Sequence, residues 1–150
     1  MRENPVGNTE WLRAMRILGG VSLERQAERQ GAVRVIRSGI SSAAIKAFAL
    51  HARFAQKDIL ALLGVPKSTY QRIEKSGGNL SVDVSDRLFR IARLTVQAQE
   101  VFEDEDTALD WLRSPNQALA GETPYGLLDT DAGAGAVEAE LIRIEYGVYS

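Results

Sequence analysis

Residues 56–75 read Gln-Lys-Asp-Ile-Leu-Ala-Leu-Leu-Gly-Val-Pro-Lys-Ser-Thr-Tyr-Gln-Arg-Ile-Glu-Lys, and this stretch forces a sharp reversal of the chain between two helices. Ile59, Leu62 and Leu63 fall on the inward face of the first helix, Gln56–Leu63. Gly64-Val65 makes the turn, because glycine enters the left-handed backbone region without a Cβ clash. Pro66 is expected at the first position of the next helix, where its missing N–H costs nothing. Tyr70 and Ile73 lie three apart and turn toward the core, which leaves Lys67, Ser68, Gln71, Arg72 and Lys75 on the outer face. That is the shape of a helix-turn-helix.

The flanking sequence has helical periodicity in both directions. Trp11–Leu18 is a short helix closed by Gly19-Gly20, and a second begins at Ser22 and stops at Gly31. Residues 1–10 carry Asn4, Pro5, Gly7 and Asn8 and are expected to fray. Val33–Ile36 alternates too briefly to tell a strand from an extended loop. Gly39–Ala52 reads as a helix entered through Ser41 or Ser42, with Ile45, Phe48 and Ala49 on one face. Ser81 to about Glu100 is a long helix with Val84, Leu88, Ile91, Ala92 and Leu94 inward. Asp104 or Asp106 caps a helix carrying Ala108, Leu109, Trp111 and Leu112 that halts at Ser114-Pro115-Asn116. Thr123-Pro124 opens a short turn ending at Leu127-Leu128, and Asp131 opens a last helix that Gly147 ends. The expected class is all-α. The expected parts are an N-terminal segment with short helices (1–38), a helix-turn-helix domain (39–100) and an acidic C-terminal domain (101–150).

The net charge of −2 conceals a division. Residues 1–100 hold 16 Lys and Arg against 9 Asp and Glu, a net of +7, and residues 101–150 hold 2 against 11, a net of −9. A basic part followed by an acidic one points to nucleic acid at one end and a different partner at the other. On the basic side Lys67 and Lys75 suit phosphates, Gln71 and Arg72 base edges, and Ser68 either, with Thr69 beside them and Lys57 placed to touch the flanking backbone. Glu74 opposes this if it points outward. A single module of this kind reads DNA tightly as a dimer on two half-sites, so a homodimer is implied. On the acidic side Arg143, Glu145, Tyr146, Tyr149 and the Ser150 carboxylate crowd the closing segment, and Arg and Tyr are favoured interface anchors. The plainer alternative is a frayed polar end with Ile144 and Val148 in the core.

Several chemistries drop out. With no Cys and one His, disulfides and thiolate metal sites are excluded and a His-based metal site is not expected. Glu103-Asp104-Glu105-Asp106 sits where acids compensate a helix dipole, so no metal is assigned to it. Gly133-Ala134-Gly135 lacks the Lys of a phosphate loop. His51 has no nucleophile beside it in sequence. No enzyme and no cofactor are expected. No run approaches the ~18 apolar residues of a membrane span, and the N-terminal residues lack the apolar core of a signal peptide. A soluble, cytoplasmic protein that does not engage a membrane is expected.

A long run of residues resembles antitoxins of the Xre/MbcA/ParS type. It comprises Leu-Leu-Gly-Val (62–65), Ser-Thr-Tyr-Gln-Arg (68–72), Leu-Ser (80–81) and Ser-Asp-Arg-Leu-Phe-Arg-Ile-Ala-Arg (85–93). Further on come Ala98, Glu100-Val101-Phe102, Ala-Leu-Asp-Trp-Leu-Arg-Ser-Pro-Asn-Gln-Ala-Leu (108–119), Gly121, Thr-Pro (123–124), Leu-Leu-Asp-Thr (127–130), Gly133, Val137 and Arg-Ile-Glu-Tyr-Gly-Val-Tyr-Ser (143–150). The resemblance covers roughly Gly39 to the end, and the chain departs from it at Ile73-Glu74, where the family often carries another basic residue. It implies an Xre-like helix-turn-helix bundle that dimerises and represses its own operon, followed by a small helical domain that binds a RES-domain toxin and blocks its active site. Such toxins consume NAD or transfer ADP-ribose from it. The residues it points to for toxin contact are Trp111, Arg143, Glu145, Tyr146, Val148, Tyr149 and Ser150. The alternative is a stand-alone helix-turn-helix regulator with no toxin partner.

Overall fold

The structure is a computed structural model that describes residues 5–147, with side chains described from Glu10 onward. Eight α-helices and two 3-10 turns follow one another, and the β pairing among the described residues is one isolated bridge, Ser41 to Asn79. The architecture is all-helical. It divides into two compact units, residues 1–93 and 94–150.

In the first unit, helix α1 (Pro5–Gln30) is broken by non-helical backbone at Gly19 and Gly20, as the double glycine leads one to expect. Its helical start at Pro5 falls within the segment expected to fray. Residues Val33–Ile36, unassigned from sequence, belong to helix α2 (Ala32–Ser38), seven residues held between Gly31 and Gly39, each at φ 85. Val35 alone of that helix is buried. Four alternating residues fit one exposed-and-buried turn as well as an extended segment, so local pattern could not decide.

Helix α3 runs from Ala43 to Ala52 with Ser42 as its N-cap residue, so the entry through Ser42 is as expected and the span read from Gly39 is too long. A long-range pairing ties residues 40–42 to residues 78–85, with Ser42 already in helical backbone. The Ile40 carbonyl accepts from the Leu80 N–H at 2.7 Å, the Ser42 N–H donates to the Gly78 carbonyl at 3.1 Å, and the Ile40 N–H donates to the buried Ser85 hydroxyl at 2.8 Å. Gly39 makes this approach possible, since a Cβ there would sit 2.6 Å from the Leu80 carbonyl oxygen. Helices α4 (Gln56–Leu63), α5 (Lys67–Ser76) and α6 (Val82–Phe102) complete the sequence of long elements, with the unit boundary falling inside α6. α3 packs on both α1 and α4. Glu10, 8% exposed, receives the Arg93 guanidinium at 3.1 Å, which ties α1 to the last residue of this unit through a pair that is partly shielded from water.

Two inward assignments were displaced. Leu60 is buried where Leu62 was expected, and Leu62 and Val84 are only half-buried. Apolar runs such as Leu60-Ala61-Leu62-Leu63 permit more than one inward face, and packing chooses among them.

In the second unit, α7 (Glu105–Arg113) is capped by Asp104, whose carboxylate accepts from the Thr107 N–H at 3.0 Å. The hydrogen bonds from Thr107 hold the Asp104 carboxyl below the ordinary value of 3.8. A depressed folded-state pKa contributes stability above that ordinary value, and the contribution is lost as pH falls through the lower folded value. Asp104→Ala is therefore expected to lower the melting temperature at neutral pH, and the gap from the wild type should close in acid below the carboxyl range. A gap that stays constant from neutral to acid would show that the cap's ionisation carries none of it.

The 3-10 turn Tyr125–Asp129 has Thr123 as its capping side chain, accepting from the Gly126 N–H at 3.0 Å, with Pro124 already in helical backbone. Tyr125 is fully buried, and its hydroxyl lies 2.8 Å from that of the buried Thr95. Burial pushes the Tyr125 phenol well above its ordinary value, against the opposing pull of Thr95 and of the Arg113 charge. Helix α8 (Asp131–Glu145) is capped by Thr130, whose hydroxyl accepts from Gly133 N–H at 3.0 Å, and it packs on the Tyr125–Asp129 turn.

Candidate functional site

The turn between α4 and α5 is built from the residues that announced it. Gly64 adopts φ 68, ψ 29, and its N–H donates to the Ala61 carbonyl at 3.1 Å while the Val65 N–H donates to Leu60 at 3.0 Å. These bonds close the end of α4 as a left-handed C-terminal cap does. Arg87 of α6 adds a further lock, donating from its guanidinium to the Leu63 carbonyl at 3.0 Å. Pro66 stands one position earlier than expected. It is the extended N-cap residue (ψ 146) and Lys67 is the first helical one, while the Pro66 carbonyl accepts from the Tyr70 N–H at 3.0 Å. The ring's fixed φ near −65° suits both positions, and the missing N–H is harmless at either.

α5 is held at three places. Tyr70 is buried, 2% exposed, Ile73 is half-buried, and beyond Gly77 the Gly78 N–H closes on the Ile73 carbonyl at 3.0 Å. The following Asn79-Leu80 pairs with residues 40–41, so the exit of α5 is pinned to the entrance of α3.

Lys57, Lys67, Ser68, Gln71, Arg72 and Lys75 are all exposed, and Thr69 is half-buried. They do not form one face. Lys57, Lys67, Gln71 and Lys75 line a groove of about 830 Å³ between α4 and α5, and Ser68, Thr69 and Arg72 lie on α5 outside it. Successive helical residues are rotated by about 100°, so Gln71 in the groove and Arg72 beyond it address different parts of any ligand. Gln56, at the first position of α4, also lines the groove and was overlooked in the sequence because only Lys57 beside it carries charge. Its signal was available: the first turn of a helix presents unpaired N–H groups that attract anions.

Glu74 also borders the groove and is exposed. Burial first, then the hydrogen bond and charge of Glu74, push the Tyr70 phenol up to about 12. Glu74→Gln is expected to lower the Tyr70 value only part of the way back toward 10, since burial remains. It should also strengthen binding of a polyanion several-fold by removing a carboxylate from a cationic groove. Ultraviolet titration of the phenol and a heparin or DNA titration measure the two effects. An unchanged phenol titration would mean that Glu74 does not reach Tyr70 in solution.

In the second unit, Trp111 is half-buried, with its ring centroid 5.6 Å from that of Phe102. Arg143, Glu145 and Tyr146 are exposed at the end of α8, with Arg143 3.6 Å from the Glu140 carboxylate and Tyr146 74% exposed. Val148, Tyr149 and Ser150 lie outside the described residues. Among the described residues no group of acids and His is placed to hold a metal ion, and no helix is long and apolar enough to cross a membrane.

Known families cover most of this geometry. Residues 31–93 match the antitoxin Xre-like helix-turn-helix domain, and residues 97–147 match the antitoxin Xre/MbcA/ParS C-terminal toxin-binding domain. The chain is similar to an Antitoxin Xre of Photorhabdus laumondii, 35% identical over 98 residues, or 65% of this chain and 66% of that relative, so it spans just under two thirds of that relative's length. It is 30% identical over 116 residues to an Antitoxin Xre of Yersinia enterocolitica, covering 77% of this chain and 78% of the relative. A Sphingobium protein named Prs ADP-ribosylating antitoxin is 28% identical over 127 residues, 79% of this chain and 80% of that protein. Helix-turn-helix and toxin-binding domain follow in the order in which the two units were described, and the chain belongs to the Xre family of antitoxins.

Proposed function

We propose that this antitoxin neutralises a RES-domain toxin through its C-terminal unit and represses its own operon, as a homodimer, through α5. The observation that carries the reading is the join within one chain: a cationic groove and an exposed basic helix lie in the helix-turn-helix match, and the toxin-binding match falls in the acidic stretch 101–150, net −9. The printed name of the Sphingobium relative favours a toxin with ADP-ribose chemistry. An enzyme that takes NAD needs positive groups for the pyrophosphate. An acidic inhibitor is suited to approach such a cleft quickly.

The roles divide as follows. Lys57, Lys67 and Lys75 hold phosphates along the α4–α5 groove, joined by Gln71. Ser68, Thr69 and Arg72 on the outer arc of α5 face base edges. Arg143, Glu145, Tyr146, Val148, Tyr149 and Ser150 form the segment that obstructs the toxin's active site, and Trp111 supports it.

The deciding experiment is co-expression with the product of the adjacent gene, followed by co-purification and an assay of NAD loss. A stable complex with NAD preserved supports the reading. No complex and unchecked NAD loss would overturn it and leave a stand-alone helix-turn-helix regulator.

A further inference from the structure

Helix α8 has two apolar sides. One is accounted for: Ala134, Val137 and Leu141 are buried in the C-terminal unit and Ile144 is half-buried. On the opposite side Gly135, Ala139, Ile142 and Tyr146 are exposed, and Ala132, Arg143 and Ala136 follow along one flank, with Arg143 3.6 Å from the Glu140 carboxylate. Gly135, Ala139, Ile142 and Tyr146 follow a 4-3-4 spacing, which keeps them in line along the helix. A helix apolar on both sides is one made to be covered on both, whereas a helix that faces water turns charge outward. Here the outward strip carries Ile142 at 43% and Tyr146 at 74% exposure. Along one edge of it run Asp131, Glu138 and Glu145 at intervals of seven, a row of acids parallel to the strip.

We infer that the outward strip of α8, from Gly135 to Ile142, is the docking surface on which the toxin seats, adjoining at Tyr146 the segment that obstructs its active site. The inference rests on the proposed neutralisation and adds Gly135, Ala139 and Ile142 to the residues that carry affinity. Three observations select the occupant. The strip lies inside the toxin-binding match. It is continuous through Tyr146 with the closing segment. Glu145, exposed at its edge, favours a partner whose apolar groove is bordered on that side by Lys or Arg. Gly135 and Ala139 at one end let a helix of that partner approach closely, while Ile142 and Tyr146 at the other supply the larger anchors.

The test is Ala139→Arg, a substitution at an exposed site by a good helix former, so the fold should be kept. A melting curve within error of the wild type verifies this. With the product of the adjacent gene, Ala139→Arg is expected to weaken binding at least ~100-fold, as a charged side chain placed within a packed apolar contact does. Glu138→Lys with Glu145→Lys should slow association at low salt roughly tenfold and erase most of its salt dependence. Operator binding should be unchanged in both. If the wild type forms no complex, the neutralisation reading itself fails. If the wild type binds and Ala139→Arg binds equally well, only the strip is refuted. If Ala139→Arg instead turns a dimer into a monomer and leaves toxin affinity intact, the strip's occupant is a second copy of this chain and the inference is overturned.

Discussion

Alanine at both Lys67 and Arg72 is expected to remove operator binding while leaving toxin binding untouched. Both side chains are exposed, whereas the anchors of α5 are the buried Tyr70 and the Ile73 carbonyl that accepts from the Gly78 N–H. Alanine is the best helix former, so α5 should survive the change. The two losses differ in kind. Lys67 lines the groove, and removing one phosphate contact should weaken every sequence alike and flatten the salt dependence by about one unit. Arg72 lies outside the groove, and removing a base-edge contact costs about 1–3 kcal/mol and relaxes choice at one position of the site. Together they should raise the dissociation constant on the order of 100-fold or more at moderate salt. Fluorescence anisotropy on labelled operator at several salt concentrations separates the two, and each single variant should show one signature without the other. A double variant that still shifts operator normally would mean that α5 is not the reading element.

Much of this site was legible because its determinants are local. Gly64 and Pro66 mark the turn by backbone geometry alone, and Tyr70 and Ile73 orient α5 by their spacing. The caps at Asp104 and Thr123 are side-chain-to-backbone bonds within three residues, which a sequence displays openly, whereas the last helix is capped by Thr130, one residue before the expected Asp131. What stayed hidden depends on partners far along the chain. Ile40 and Ser41 look like the first residues of α3 until the pairing with Asn79 and Leu80, nearly forty residues away, keeps them out of the helix. The gathering of Lys57 with Lys67, Gln71 and Lys75 into a groove, and the separation of Arg72 from them, needed the angle between two helices. α8 was hidden for a different reason. Its inward period was plain, and the second apolar side does not interrupt that period, so nothing in the pattern drew the eye to it.

Gly133→Ala is expected to unfold much of the C-terminal unit's stability, although Gly to Ala in a helix normally raises stability by roughly 0.5–1 kcal/mol. Gly133 is the third residue of α8, where the Thr130 hydroxyl caps its N–H. A Cβ at this position would run into the backbone carbonyl of Leu127 and lie 3.1 Å from the capping hydroxyl. A carbonyl fixed in the turn Tyr125–Asp129 cannot swing aside as the tip of a side chain can, so α8 must move off the turn that it packs against. That turn carries the buried Tyr125 and Leu128, and the shift reaches the core of the unit directly. Overpacking of this kind costs about 2–3 kcal/mol net, which for a unit this small is a fall of roughly 10–20 °C in melting temperature. Gly135→Ala, two residues on in the same helix, is the matched control: a Cβ there meets nothing within 4 Å, so the ordinary propensity gain should appear and the unit should melt slightly higher. The opposite signs at two glycines in one helix make the measurement diagnostic. If both variants were stabilised, α8 would not lie against Leu127 as described, and the exposure of its outward strip would have to be reconsidered with it. If Gly133→Ala alone destabilises, the antitoxin should lose toxin protection at growth temperature while its helix-turn-helix still binds operator, because that motif lies wholly in the other unit.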